Sequence, residues 1–163
     1  MTVPDDNPRE RLDRTLVRRG LFATRARARD AIMRGTVTVD GQTITKPAHS
    51  CTGRTKIAVA DPASGYVSRA ALKLKAALDA FAIPVTDAVC LDIGASTGGF
   101  TQVLLEAGAA GVHAIDVGHG QMDPTLAADP RVRLTEGLNA RDLEIGHLDG
   151  DRPSIIVSDV SFI

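Results

Sequence analysis

The stretch Val89-Cys-Leu-Asp92-Ile-Gly94-Ala-Ser96-Thr-Gly98-Gly99-Phe100 constrains this chain more than any other part of it. Val89 to Ile93 is apolar and partly β-branched apart from one acid, which is the composition of a short buried strand. Phe100, Val103, Leu104 and Ala107 then recur at helical spacing as far as Gly108, so a helix is predicted to open where the glycine-rich turn ends. Three glycines within six residues let the connecting backbone turn tightly and approach a ligand closely. The first turn of the new helix adds N–H groups that have no partner within the helix. Strand, turn and helix together predict an open α/β sheet with a small-molecule site at its edge.

The order of residues in the turn narrows the ligand. A dinucleotide fingerprint asks for G-x-G-x-x-G, whereas Gly94-Ala-Ser-Thr-Gly98-Gly99 follows an acid, Asp92, two residues ahead of the first glycine. A carboxylate there repels a pyrophosphate but suits a ligand carrying an ammonium group, such as the amino-acid end of S-adenosylmethionine. A second apolar strand, Val112-His-Ala-Ile-Asp116, ends in another acid about one βαβ unit later, where a carboxylate grips a ribose diol. A Rossmann domain with some other ligand is the alternative that this motif leaves open.

Two further strands are predicted, Val132-Arg-Leu-Thr-Glu136 and Ser154-Ile-Ile-Val-Ser158-Asp159. Asp92, Asp116 and Asp159 thus all fall at the carboxyl ends of predicted parallel strands, the edge at which open α/β sheets bind ligands. Ser68 is expected to cap a helix over Arg69 to Ala80, with Ala71, Leu74 and Leu78 inward. Arg69 and Lys73 lie four apart on another face of that helix, so something negative is expected opposite them, either a substrate phosphate or a site carboxylate.

Charge divides the chain in two. Residues 1–60 hold 12 Lys/Arg against 6 Asp/Glu, while residues 61–163 hold 7 against 14. A basic first part points to a polyanionic partner, and the acidic second part to something else. Cys51, expected in a loop, and Cys90, expected in a buried strand, are far apart, and His49, His113, His119 and His147 are scattered. Neither a disulfide frame nor a metal site is expected from that spacing. No segment approaches the roughly 20 apolar residues needed to span a bilayer. The acidic, proline-punctuated start does not read as a secretory signal, so a cytoplasmic protein is expected.

Residues 1–8 read as a flexible lead-in. Arg9 to Arg19 reads as one helix, with Leu12, Leu16 and Val17 on one stripe and Arg11, Arg14, Arg18 and Arg19 largely off it. Thr24 is expected to cap a second helix, Arg25 to Arg34, with Ala28, Ala31 and Ile32 inside. Thr36 to Thr45 reads as strand, Asp40-Gly41 turn and strand, and Ile57 begins a last strand before Pro, Ser and Gly mark a boundary near residues 62–65. Arg25 and Arg29 repel across one helical turn unless an anion lies between them, which a nucleic-acid backbone would supply. A merely solvated basic face is the alternative.

Over residues 9–57 this unit resembles the RNA-binding module first named from small-subunit ribosomal protein four. The carriers are Arg11-Leu-Asp13, the Arg25/Arg27/Arg29 helix and Arg34-Gly35-Thr-Val-Thr-Val-Asp40-Gly41. Residues 58–66 form the linker and 67–163 the larger domain. There Ser68-Arg-Ala-Ala-Leu-Lys73-Leu, Leu91 to Phe100, Asp116-Val-Gly-His-Gly-Gln, Asn139-Ala-Arg and Ser158-Asp159-Val-Ser-Phe162 resemble the TlyA family. These bacterial proteins, also labelled hemolysin A, join the basic module to an FtsJ-like ribosomal RNA 2′-O-ribose methyltransferase domain. In the linker, Ser64-Gly-Tyr66-Val stands where the family carries a bulkier aromatic segment.

The resemblance implies an α/β fold: a small basic α+β RNA-binding domain followed by the first half of a Rossmann-like methyltransferase domain. It also implies that S-adenosylmethionine is the cofactor and ribosomal RNA or a ribosomal subunit the partner, without metal and without stable membrane insertion. Of the family's Lys-Asp-Lys-Glu catalytic set, Lys73 matches the first lysine and Asp159 the aspartate. Asp92, Gly94, Ser96 and Gly98 match the methionine end of the cofactor site, Asp116 its ribose and Asn139 its adenine. Arg11, Arg14, Arg18, Arg25, Arg27, Arg29 and Arg69 are the candidate RNA contacts. The second lysine and the glutamate have no counterpart in this chain, so the sequence is expected to be C-terminally incomplete and not to turn over, with its last strand at an unprotected sheet edge. Two further readings are a noncatalytic RNA-binding protein and a membrane-lytic protein. The latter finds no amphipathic segment suited to insertion.

Overall fold

The computed structural model describes residues 9–160; the lead-in of residues 1–8 and Phe162 of the last motif lie outside the described residues. The chain forms two units, which divide between Ser64 and Gly65.

In the first unit, β1 (Glu10–Arg11) leads into α1 (Leu12–Arg18) and α2 (Arg25–Met33), followed by β2 (Val37–Val39), β3 (Gln42–Thr43), β4 (Ser50–Cys51) and β5 (Ile57–Val59). Thr24 caps α2 by accepting the Arg27 N–H at 3.3 Å. The Asp40-Gly41 turn puts both residues at positive φ, 49° and 84°, and joins β2 to β3 as an antiparallel hairpin. β5 completes a three-stranded sheet on the other side of β2, and β1 pairs with β4. Leu12, Leu16, Phe22, Ala28, Ala31, Ile32, Val37, Val39 and Cys51 form the core. The expected helix from Arg9 therefore starts later, at Leu12, because Glu10 and Arg11 are taken up by pairing with Cys51 and Ser50. Cys51 lies in a strand rather than a loop and is 1% exposed.

The second unit runs α3 (Ala71–Phe81), β6 (Val89–Ile93), α4 (Gly99–Glu106), β7 (Gly111–Asp116), α5 (Pro124–Ala127), β8 (Val132–Glu136), two 3₁₀ turns (Ala140–Asp142 and Ile145–Leu148) and β9 (Ile155–Ser158). The four strands form one parallel sheet in the order β8-β7-β6-β9. After β8 the chain returns to the far side of β6, so the strand order reverses there and a crevice opens beyond the carboxyl ends of β6, β7 and β9. One sheet face carries Cys90, Val112, Ile155 and Val157 against Leu74 of α3 and Val103 and Leu104 of α4. The other face carries Leu91 and Ile115 against Leu148. α5 has no sequence signal strong enough to announce it, because one helical turn shows no repeat of apolar positions.

Ser68 does not cap α3. The helix begins at Ala71 with no side-chain cap, and residues 68–73 enter it through three-residue turns, Leu72 N–H to Arg69 O and Lys73 N–H to Ala70 O. Arg69 thus precedes the helix instead of stacking on Lys73 within it.

Candidate functional site

A cavity of about 790 Å³ lies beyond the carboxyl ends of β6 and β7. Its walls include Gly94, Ala95, Ser96 and Thr97 from the glycine-rich turn, Asp116 and Val117 after β7, Asn139 and Arg141 after β8, and Asp159 and Val160 after β9. This volume suits one nucleoside-sized ligand.

Gly94 and Gly98 differ in their relation to it. Gly94 sits at φ +81°, and a β-carbon there would come within 2.8 Å of Val160 Cγ1, so only glycine lets the two strand ends approach. Gly98, at φ +93°, is the N-cap of α4 and faces Leu126 rather than the cavity.

Asp116 is held by two backbone donors. Its Oδ2 accepts the Ser96 N–H and its Oδ1 the Gly118 N–H, each at 2.7 Å. Every carboxylate oxygen retains a further acceptor position, so Asp116 is oriented toward the cavity and still able to bind a diol. Ser96 directs its hydroxyl to Gln121 Oε1 at 3.2 Å, and Gln121, the last residue of the Asp116-Val-Gly-His-Gly-Gln motif, is itself a wall residue that was not among the candidate cofactor contacts. Asn139 accepts the Arg141 N–H at 3.0 Å and so caps the first 3₁₀ turn, which occupies its oxygen and leaves its amide NH₂ able to donate.

Asp92 differs from its expected role. Where the motif predicts a carboxylate facing an ammonium group, the side chain turns inward and is 1% exposed. The Thr101 hydroxyl donates to its Oδ2 at 2.7 Å. That bond ties the first turn of α4 to the end of β6. Burial raises the Asp92 carboxyl to about 6, against the Thr101 hydrogen bond and with help from the charges of Asp116 and Asp159.

Lys73 and Asp159 meet. The lysine Nζ donates to Oδ1 at 2.7 Å and Oδ2 at 2.8 Å, with the lysine side chain 66% and the aspartate 32% exposed. The anion expected opposite Lys73 is therefore this carboxylate. The pair joins α3 to the end of β9 at the cavity mouth, where an ammonium held by a carboxylate can orient an incoming hydroxyl and offset the charge it develops.

In the first unit the arginines sort by partner. Asp13, fully buried, accepts Arg11 Nε and Nη2 at 3.1 Å each and Arg25 Nη2 at 2.9 Å. The anion between the α2 cations is thus partly internal, because Arg25 turns back to Asp13. Arg18 pairs with Glu10 at 2.9 Å, and Arg27 donates to the Ala63 carbonyl at 3.3 Å. Arg34 binds Asp61 through two bonds, at 3.1 and 2.7 Å. Among the described residues, Arg14 and Arg29 are exposed and form no ion pair, and the same holds for Lys46, Arg54 and Lys56, which the helix-based reading passed over because they lie on loops. Among the described residues no three His, Cys, Asp or Glu side chains gather as a metal site, and no helix is long and apolar enough to cross a membrane.

Residues 66–163 match the FtsJ-like methyltransferase model, and residues 10–55 match the S4 domain model. The chain belongs to the FtsJ-like methyltransferase family. It is 49% identical over 156 residues to the Mycobacterium tuberculosis protein named 16S/23S rRNA (cytidine-2′-O)-methyltransferase TlyA, which covers 95% of this chain and 58% of that protein. It is 45% identical over 153 residues to Hemolysin A of Brachyspira hyodysenteriae, covering 94% of this chain and 63% of that protein. A solved structure from Streptococcus thermophilus, provisionally named a hemolysin, superposes with a TM-score of 0.65 at 41% identity, covering 96% of this chain and 57% of the other. The chain therefore spans about three fifths of the length of these relatives.

Proposed function

We propose that the second unit binds S-adenosylmethionine and that the whole protein to which this chain corresponds methylates the 2′-hydroxyl of a ribose in ribosomal RNA, in the cytoplasm. The observation that carries the reading is the cavity, where the glycine-rich turn, Asp116 and Asn139 sit at one end of a sheet whose other wall ends in the Lys73–Asp159 pair. Asp116 takes the ribose diol, Asn139 the adenine, and Gly94 with the Ser96 turn the methionine chain. Asp92 supports this site by fixing α4, without touching the ligand.

A ribose hydroxyl is a weak nucleophile near neutral pH, so transfer from a sulfonium requires in-line positioning and a place for the departing proton. Lys73 and Asp159 orient the hydroxyl at the cavity mouth. The second lysine and the glutamate of the family set are not among the residues of this chain, so donor binding without turnover is its expected behaviour. Arg14 and Arg29, together with Lys46, Arg54 and Lys56, contact the RNA backbone; Arg11 and Arg25 serve the unit by neutralising Asp13.

The test incubates the chain with methyl-tritiated S-adenosylmethionine and ribosomal RNA. Label retained on the protein and none on the RNA is expected. Label on the RNA would contradict the need for the two further residues, and label on neither would contradict donor binding.

A further inference from the structure

The turn between β4 and β5 is built around one guanidinium. Arg19, half-buried at the C-cap of α1, donates Nη1 to the Thr55 carbonyl at 2.8 Å and Nη2 to the Thr52 and Gly53 carbonyls at 3.3 and 3.2 Å. The Thr55 N–H donates to the Thr52 carbonyl at 3.2 Å, which closes a turn with Gly53 and Arg54 at its centre, and Thr55 Oγ1 accepts the Thr52 N–H at 2.8 Å. Lys56, next along, is fixed from both sides by Asp40, whose Oδ1 accepts its N–H at 3.0 Å and whose own N–H donates to its carbonyl at 2.8 Å.

These bonds decide which way the turn faces. A trans peptide sets its C=O and N–H on opposite sides, so the Thr52 and Gly53 carbonyls drawn in toward Arg19 send the Gly53 and Arg54 N–H groups outward. Among the described residues neither N–H has an acceptor, and Arg54 and Lys56 are exposed and form no ion pair. Arg19 meets neutral carbonyls, so its charge adds to that of the turn instead of being cancelled. Adjacent outward amides beside two free cations make a donor set suited to an acceptor-only anion such as a phosphate group. Because the turn is set in advance, little ordering of the loop is left for binding to bring about.

We propose that the β4–β5 turn is a preformed phosphate-binding site for the RNA backbone, in which the Gly53 and Arg54 N–H groups and the Arg54 and Lys56 side chains take phosphate oxygens, and that Arg19 is the positioning residue that holds the turn in shape. This rests on the RNA-binding reading above and adds to it the backbone donors and the residue that sets their direction. Arg19 itself does not touch the RNA.

The experiment measures filter binding of radiolabelled ribosomal RNA to the 163-residue chain over a range of salt concentrations, together with the melting temperature of each variant. R54A and K56A are each expected to bind about five- to tenfold more weakly at 0.1 M salt and to lower the logarithmic salt slope by about one. R19M, which keeps the length of the side chain and loses its donors, is expected to weaken binding as much. In the R19M background R54A should cost less than about twofold, while R29A costs the same as in the unaltered chain. RNA affinity unchanged in R54A and K56A would overturn the site. A full R54A loss in the R19M background, or an equal shrinking of the R54A and R29A losses, would overturn the role of Arg19, the latter because it marks a general loosening of the unit. R54A and K56A leave the turn's internal bonds intact and carry the test should R19M fail to fold. If R29A weakens binding and R54A and K56A do not, the inference fails while the RNA-binding reading stands; if the unaltered chain binds no RNA, that reading fails.

Discussion

Asp13 and Asp92 are both buried carboxyls, and their neighbours drive them in opposite directions. Hydrogen bonds from Arg11 and then Arg25 outweigh burial and hold Asp13 down to about 2. Its support for the fold is present above the ordinary carboxyl range and fades as pH falls from about 4 toward 2. For Asp92 burial dominates and the carboxyl rises to about 6, so the folded state binds the proton more tightly than the unfolded chain does. The stability this contributes is complete below the ordinary carboxyl value and is lost as pH climbs through about 6, an effect on the order of 3 kcal/mol at most. Urea unfolding of Asp92→Asn between pH 4 and 7 is expected to show that slope flattened, and a slope equal to the parent's would contradict the assignment. The sequence places an acid at position 92 but does not say which face of β6 it occupies, and the Thr101 hydroxyl competes with a ligand for the same carboxylate. Arg25 was equally ambiguous, since helical spacing shows a repelling neighbour but not the buried acid twelve residues earlier that takes its guanidinium. Arg25→Ala is expected to destabilise the first unit by about 1–2 kcal/mol, because Arg11 still neutralises Asp13, whereas Arg14→Ala and Arg29→Ala leave stability unchanged.

Elements with enough length to show a period were legible. β6, α4 and β8 follow the apolar spacing, and the hairpin follows from Asp40-Gly41. Two-residue strands such as β1 and β4 carry no alternation to detect, and their pairing is specified by contact with the core through Leu12 and Cys51. Ser68 looked like a cap because it precedes an apolar helical repeat, but its hydroxyl belongs to the cavity wall. β9 pairs with β6 and, among the described residues, with no strand on its other side. Its Ile156 is 64% exposed and the strand carries no charge, so its open edge and apolar side chain favour association. Sedimentation velocity is expected to show concentration-dependent association of this chain that Ile156→Lys reduces; identical profiles for the two proteins would count against an exposed edge.

At the scale of the molecule, the charge division seen in the sequence corresponds to two units with different chemistry. Among the described residues the basic unit keeps several cations without acidic partners, so its affinity for RNA should fall steeply with salt, and Arg14→Ala or Arg29→Ala should each lower the logarithmic salt slope by about one. A slope that neither substitution changes would move the RNA contacts elsewhere. The acidic unit gathers its carboxylates at one sheet edge, with Asp116 and Asp159 open to the cavity and Asp92 beneath it. The strand ends and their acids could be read in advance, whereas Gln121 and Ser68, though inside quoted motifs, reach the cavity wall through loops whose course depends on packing. The most direct measurement is calorimetric titration of S-adenosylmethionine into the unaltered chain and into Asp116→Ala. The account predicts saturable binding of one donor per chain, weakened at least tenfold by the substitution while the melting temperature confirms a folded protein. No heat from the unaltered chain, or equal affinity in the two proteins, would contradict it.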